Sequence, residues 1–384
     1  MKKIIVLLIL ITLFSCRKDL PPEYFDFGLH YGGDKYDEGH SIAVTEDGGY
    51  IICGTTNSFG AGNYDIYLIK TDSQGNELWS RTFGGEKSDI GYSIIVTEDG
   101  GYIICGKTDS FGAGKEDVYL IKTDSEGNEL WSRTFGGEKS DIGNSVAITE
   151  DGGYIISGST KSYGLGKEDV YLIKTNSDGN ELWSRTFGGK KSDIGNSVTV
   201  TEDSQYIISG GTKSYGSGRE NVYLIKTDSD GNELWSKTFG GELRDYGSSV
   251  AVTKEGGYIV CGTSIDDVYL IKTNNDGNQL WDNYFNIEFN SAYGNSIAVT
   301  EDGEYIVCGT ITVDGLFDVY LIKADSDGNQ LWSKTLGGKQ SDRGHSIAIT
   351  EDEEYVICGS SQQNPHTARQ VILIKTDSEG ELLF

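Results

Sequence analysis

DIGNSVAITEDGGYIISGSTKSYGLGKEDVYLIKTNSDGNELWSRTF, residues 141–187, is one copy of a phrase that fills the chain. Its marker Tyr-Ile-Ile-Cys-Gly first stands at Tyr50. With Val or Ser at single positions, it returns at Tyr102, Tyr154, Tyr206, Tyr258, Tyr305 and Tyr355, at spacings of 52, 52, 52, 52, 47 and 50 residues. A second marker, Gly-Asn-Glu/Gln-Leu-Trp, carries Trp79, Trp131, Trp183, Trp235, Trp281 and Trp332, so all six tryptophans occupy one repeat position. Self-similarity at such a period marks an architecture in which each unit buries its faces against its neighbours.

Each unit reads as four strands, which in the first are Ser41 to Glu46, Tyr50 to Thr55, Ile66 to Thr71 and Glu77 to Phe83. Asp47-Gly48-Gly49 and Asp72-Ser73-Gln74-Gly75-Asn76 supply the turn chemistry of tight hairpins, so the unit is an antiparallel meander. Tyr50-Ile51-Ile52-Cys53 puts large apolar groups on both faces of the sheet, because successive side chains point opposite ways. Both faces therefore need a cover. Radial stacking provides one, and the pattern predicts an all-β, seven-bladed β-propeller over residues 24–384.

The seventh unit has strands at Ser346 to Glu351, Tyr355 to Ser360 and Val371 to Thr376, but Phe384 falls at the tryptophan position and the fourth strand is cut short. Phe25 to Gly33 aligns with the missing piece, with Tyr31 in the place of Phe83. The N-terminal strand is thus expected to complete the last blade at its outer edge and close the ring, which removes an open sheet edge.

With 59 Asp+Glu against 32 Lys+Arg, the formal charge is −27, which excludes nucleic acid as a partner, since a polyanion needs a basic surface that releases counterions. Met1-Lys2-Lys3 followed by the apolar run Ile4 to Phe14 reads as a signal peptide over residues 1–15. Leu13-Phe14-Ser15-Cys16 resembles the lipobox of bacterial lipoproteins, which implies lipidation of Cys16; a plain cleaved secretory signal is the alternative. Residues 16–23, with Pro21-Pro22, then form a lipidated tether, and Arg17-Lys18-Asp19 resembles a surface-export signal. The expected location is the outer membrane, on its periplasmic or exposed side, with the membrane bound through the lipid.

The stretch VYLIKTDSDGNELWSKTF, Val222 to Phe239, resembles blades of quinoprotein-like (PQQ-type) propellers, and the whole pattern is similar to tandem-repeat propellers of secreted or surface proteins of bacteria and archaea. The resemblance spans residues 24–384 and implies fold more than activity. Quinoprotein dehydrogenases carry an adjacent cysteine pair and a cofactor-stacking tryptophan in one distinctive unit; this sequence has neither. No cofactor is expected.

Cys53, Cys105, Cys261, Cys308 and Cys358 share one second-strand position that is Ser157 and Ser209 in the other two units, which reads as a small packed residue rather than a disulfide. Asp37, Asp89, Asp141, Asp193, Asp245 and Asp342 recur in the loop before the first strand, with Ala292 in the sixth unit. They read either as a cation-attracting ring at the channel mouth or as side chains that fix their own loops. The tips Phe59, Phe111, Tyr163 and Tyr215 read as packing or as ligand-stacking residues. The turns of the Asp228-Ser229-Asp230-Gly231-Asn232 type lack the calcium-loop register.

Function is sought where the repeat breaks. The residue before the first-strand serine is His40 in unit one and His345 in unit seven, and Tyr92, Asn144, Asn196, Ser248 or Asn295 elsewhere. Ring closure would put His40 and His345 together, with Asp37 and Asp342 nearby, in a constellation suited to a divalent cation or a polar ligand. The loops between second and third strands diverge after unit four and present Phe317 and His366. The expected function is a membrane-anchored, non-enzymatic protein- or glycan-binding scaffold. The alternative is an enzyme, a hydrolase or quinoprotein-like oxidoreductase, with its site at the channel mouth.

Overall fold

A computed structural model describes residues 27–285, 290–363 and 366–384, all of it strand and turn. The signal segment, Cys16, the tether, Phe25, Asp26, Asn364 and Pro365 lie outside the described residues. Among the described residues no helix is long and apolar enough to cross a membrane.

Seven four-stranded antiparallel sheets follow one another along the chain, the first built from Asp37–Val44, Tyr50–Thr56, Asp65–Thr71 and Glu77–Phe83. First strands of successive blades touch one another around the ring, and that of blade seven touches that of blade one, so the first strands line the axis. Each core cluster lies between two blades. Ile51, Cys53, Ile66, Leu68 and Phe83 of blade one meet Ile94, Tyr102, Ile104, Tyr119 and Ile121 of blade two. The two-faced apolar strands are thereby covered on both sides.

Ring closure occurs as the sequence predicts. In blade seven the order from the axis outward is Asp342–Ile349, Tyr355–Ser361, Gln370–Thr376 and then Leu29–Tyr31 from the other end of the chain. Leu29 pairs with Leu373, His30 with Ile372 and Tyr31 with Val371, just as Phe83 pairs with Ile66 in blade one. The Tyr31 hydroxyl donates to the Gly75 carbonyl of blade one at 2.5 Å. The rest of this outer strand comes from the C-terminal residues. Lys375 exchanges backbone hydrogen bonds with Leu383 and Phe384, at 2.8 Å from the Lys375 amide to Phe384 and 2.8 Å from the Leu383 amide to Lys375. Two distant pieces of chain therefore share one strand.

The first strand begins four residues earlier than the sequence suggested. Pairing runs through Asp37 with Thr56, Glu38 with Thr55 and Gly39 with Gly54, skips His40, and resumes at Ser41 with Cys53. His40 is thus the extra residue of a β-bulge, and the same bulge recurs in every blade between the matching glycine and serine. The strands cross closely here: a Cβ on Gly54 would stand 1.8 Å from the Glu38 carbonyl oxygen. Past the bulge, each serine hydroxyl accepts the backbone N–H of the following blade. The seven bonds run from Ile94 to Ser41, Val146 to Ser93, Val198 to Ser145, Val250 to Ser197, Ile297 to Ser249, Ile347 to Ser296 and Ile42 to Ser346, at 3.1–3.3 Å.

The five described cysteines are free, fully buried thiols. A Cβ on Gly91 of blade two would lie 2.3 Å from the Cys53 sulfur, so the thiol fills the space against the next blade's backbone. Ser157 and Ser209 take this position in blades three and four, and their hydroxyls find no partner among the described residues. A buried hydroxyl without a partner costs about 1–3 kcal/mol. The double variant Ser157→Cys/Ser209→Cys should therefore melt several degrees above the parent in differential scanning calorimetry; an unchanged or lower midpoint would mean these hydroxyls are satisfied.

Candidate functional site

The recurring aspartates belong to the blade junctions. Asp37 is fully buried, and its carboxylate accepts the Gly33 amide at 2.8 Å, the Ser58 hydroxyl at 2.7 Å and the Thr56 hydroxyl. Asp89, Asp141 and Asp193 repeat this set one blade at a time, and Asp245 and Asp342 keep its glycine amide, from Gly241 and Gly338. Asp37 and Asp342 accordingly do not stand in the open beside the histidines. Their carboxylates fasten loops, as the alternative reading of the sequence had it.

In blade one the Gly62 amide reaches Asp65 at 2.9 Å, whereas in blade six the connection is a tight turn between the paired Val313 and Leu316. Asp318, at the corresponding position, has its carboxyl pushed up to about 6 by burial and by the neighbouring Asp342.

The bulge residues line the axis. Three of them are asparagines that donate to a glycine carbonyl of the next blade: Asn144 to Gly195 at 2.9 Å, Asn196 to Gly247 at 2.8 Å and Asn295 to Gly344 at 2.7 Å. At the closure the stitch is replaced by rings. His40 lies 5.7 Å from His345 and 5.6 Å from Tyr92 between ring centroids, so closure does bring the two histidines together.

Their partner is Glu38, which sequence reasoning passed over. The Nε2 of His345 lies 2.8 Å from its Oε1, Ser360 donates to the same oxygen at 3.0 Å, and Tyr36 donates to the other. The column occupied by Glu38 holds Ile90, Ile142, Ile194, Tyr246, Tyr293 and Arg343 in the other blades, so comparing aligned units would have exposed it as the single carboxylate there. Burial alone would raise the Glu38 carboxyl. The hydrogen bond from His345, the charges of His345 and His40 and the Tyr36 hydroxyl outweigh it and hold Glu38 well below the usual carboxylate range. Burial pulls the His40 imidazole down to about 4, against Glu38 and with the help of His345. The site therefore keeps an ionised carboxylate beside a neutral imidazole.

Among the described residues no group of three or more histidine, cysteine, aspartate or glutamate side chains is assembled to hold a metal ion. A quinone cofactor does not fit either. The tryptophans sit on the outermost strands, each tilted against a tyrosine of the next blade at 6.0–6.3 Å, so none faces the axis as a stacking floor, and the thiols are sealed in the core.

Phe317 is half-buried beneath the Arg343 guanidinium, whose carbon lies 4.3 Å from the ring centroid. Arg343 is in turn within electrostatic reach of Arg369, Glu38 and Tyr36. His366 is exposed on the connection between the second and third strands of blade seven. The breaks in the repeat thus gather on blades six, seven and one, at the end of the ring where the first strands begin.

The family profile described as outer membrane protein assembly factor BamB matches residues 114–283 and 218–364. Regulatory protein FlaEY of Caulobacter vibrioides is 25% identical over 238 residues, 53% of this chain and 24% of that protein, so the chain spans about a quarter of that relative's length. Among solved structures, catalytically inactive virginiamycin B lyase from Staphylococcus aureus with quinupristin superposes with a TM-score of 0.59 at 11% identity, over 90% of this chain and 97% of that one. A puromycin hydrolase mutant gives 0.58 at 13% identity over 91% and 53%, and Sqt1 from Chaetomium thermophilum 0.54 at 13% over 92% and 85%. At these identities the likeness is one of fold.

Histidine titration offers a direct check on the site. His40 falls from 6.5 to about 4 on folding, so below pH 6.5 the unfolded chain gains a proton that the folded chain refuses, and stability is lost as pH drops through that window. His40→Asn, the residue of blades three, four and six, removes the group. Its melting temperature should fall by several degrees less than the parent's between pH 6.5 and 4; parallel curves would show that His40 does not titrate as described.

Proposed function

The chain belongs to the repeat family described as outer membrane protein assembly factor BamB, and from that premise we propose that it is a non-enzymatic binding scaffold, held at the outer membrane by lipid on Cys16. Its binding surface is the ring face on which Phe317, Arg343, His345, Tyr36 and Glu38 interrupt the repeat. A protein or glycan is the ligand. The observation that carries this reading is the saturation of the site: the Glu38 carboxylate already accepts from His345, Ser360 and Tyr36, and the Arg343 guanidinium is stacked on Phe317. Groups so engaged suit a rigid recognition surface better than turnover. The divergent loops of blades five to seven then make the face directional, as connections on a rigid scaffold do.

The second reading is an enzyme at the channel mouth. It is favoured by the 2.8 Å contact between His345 and Glu38 beside a neutral His40, an arrangement in which a carboxylate orients one imidazole while another is available as a base.

Photo-crosslinking in native membranes separates the two. A photoreactive residue at His366 should give a discrete adduct, whereas one at Ser229, on a turn at the opposite end of the blades, should not. Equal adducts from both positions, or none at His366, would overturn the scaffold reading. Release of the Cys16→Ala variant from membranes, with the parent retained, is the expected result for the anchor.

A further inference from the structure

A cleft of about 680 Å³ opens between the rims of blades two and three, where Thr134 faces Tyr163, Tyr171, Glu181, Ser184 and Arg185. A cleft of about 480 Å³ repeats it one blade on, with Thr186 facing Tyr215, Tyr223, Glu233, Ser236 and Lys237. Every one of these positions is offset by one repeat, and only the cation changes type.

The loop tyrosines are fixed in place. The Tyr163 hydroxyl donates to the Gly136 carbonyl at 2.9 Å and that of Tyr215 to Gly188 at 2.8 Å, while their rings tilt against Tyr171 and Tyr223 at 5.7 and 5.8 Å. Yet the two side chains remain 47% and 45% exposed. Each cleft thus holds an oriented aromatic face beside a cation, a carboxylate and several hydroxyls. Blades one and two carry the same positions, with Phe59, Tyr67 and Arg81 in one and Phe111, Tyr119 and Arg133 in the other, and the same exposure of the loop ring.

Blades five to seven depart from this set of residues. In blade five the loop ring is gone, and Tyr284 stacks flat on Tyr269 at 4.5 Å while Asp282 takes the Tyr269 hydroxyl at 2.7 Å. In blade six Phe317 lies under Arg343, and in blade seven Ile372 replaces the tyrosine. Two clefts therefore lie side by side on an arc of four blades that repeat the same ring positions.

We propose that this arc binds a neutral polysaccharide, one stretch of the polymer in each cleft. An aromatic face receives the C–H side of a sugar ring. The mixture of Arg or Lys donors, a Glu acceptor and Ser and Thr hydroxyls matches sugar hydroxyls, which both donate and accept. The net charge of −27 disfavours acidic polymers. Closely similar sites at a fixed pitch suit a ligand that is itself periodic, because each further contact forms at high effective concentration. The inference goes beyond the scaffold reading, because this rim is a second surface, apart from the face that carries Phe317 and Glu38.

The test is affinity electrophoresis and calorimetry of the full chain with neutral glucans, mannans, galactans, xylans and chito-oligosaccharides, from disaccharides to octasaccharides and polymers. At least one series should retard the protein, with affinity rising at least about tenfold from disaccharide to octasaccharide. Tyr163→Ala/Tyr215→Ala should weaken it by about tenfold or more while leaving the melting temperature close to the parent's, and Tyr163→Phe/Tyr215→Phe, the ring of blades one and two, should restore it. Absence of retardation by the whole panel, affinity independent of chain length, or an alanine variant that binds like the parent would overturn the proposal. If retardation fails while the His366 adduct persists, the scaffold reading stands without this ligand; if oligosaccharides are cleaved, the scaffold reading itself fails.

Discussion

Seven serine hydroxyls, each taking the backbone N–H of the following blade, form the one set of bonds on which the rest of this ring depends. A β-bulge makes them possible. By adding one residue to each inner strand, it turns the serine toward the neighbour and leaves the residue before it facing the axis. The bonds at 3.1–3.3 Å are individually modest, but they come as a closed set, since Ser346 holds Ile42 as Ser41 holds Ile94. Around this hoop the tyrosine, isoleucine and leucine side chains of adjacent sheets fill the space between blades.

A ring made by repetition has a seam where first and last units meet, and there the chemistry changes. Asparagine stitches give way to two histidines, and a column otherwise without a carboxylate holds Glu38. The seam must hold together elements from opposite ends of the chain, and its polar network of Tyr36, Glu38, His345 and Ser360 spans that junction. The same residues that secure the closure are those that make one sector of the face unlike the others. Stabilisation and recognition thus draw on the same side chains, while the arc of blades one to four keeps its uniform rim.

The repeat made much of the fold legible. Blade number, strand order within a blade, the transfer of the N-terminal strand to blade seven and the neighbourhood of His40 and His345 all follow from alignment of units and the need to cover two-faced strands. What escaped was local geometry. Nothing in Asp37-Glu38-Gly39-His40 announces that pairing continues back through the bulge to Asp37, because a bulge breaks the alternation from which strands are read. The loop-fastening role of Asp37 and Asp342 was one of two readings open in the sequence, where a carboxylate that accepts local N–H groups looks like one that awaits a ligand. Glu38 was visible as a column exception but lay one residue from a position that recurs and drew the attention. The share of the outer strand taken by Leu383 and Phe384 depends on pairing between the two ends, which a residue pattern alone does not encode.

The spliced outer strand of blade seven also sets an order of assembly. Within each of the other blades every pairing joins segments close in sequence, so those sheets can form locally, one after another. The pairing of Leu29 with Leu373 encloses nearly the whole polypeptide in a single loop and carries the largest entropic cost of any contact in the molecule. Until it forms, the array is a spring with two sticky ends. Once it forms, the seam becomes a clasp: loosening any blade then strains all the others, and cooperativity extends around the full circumference.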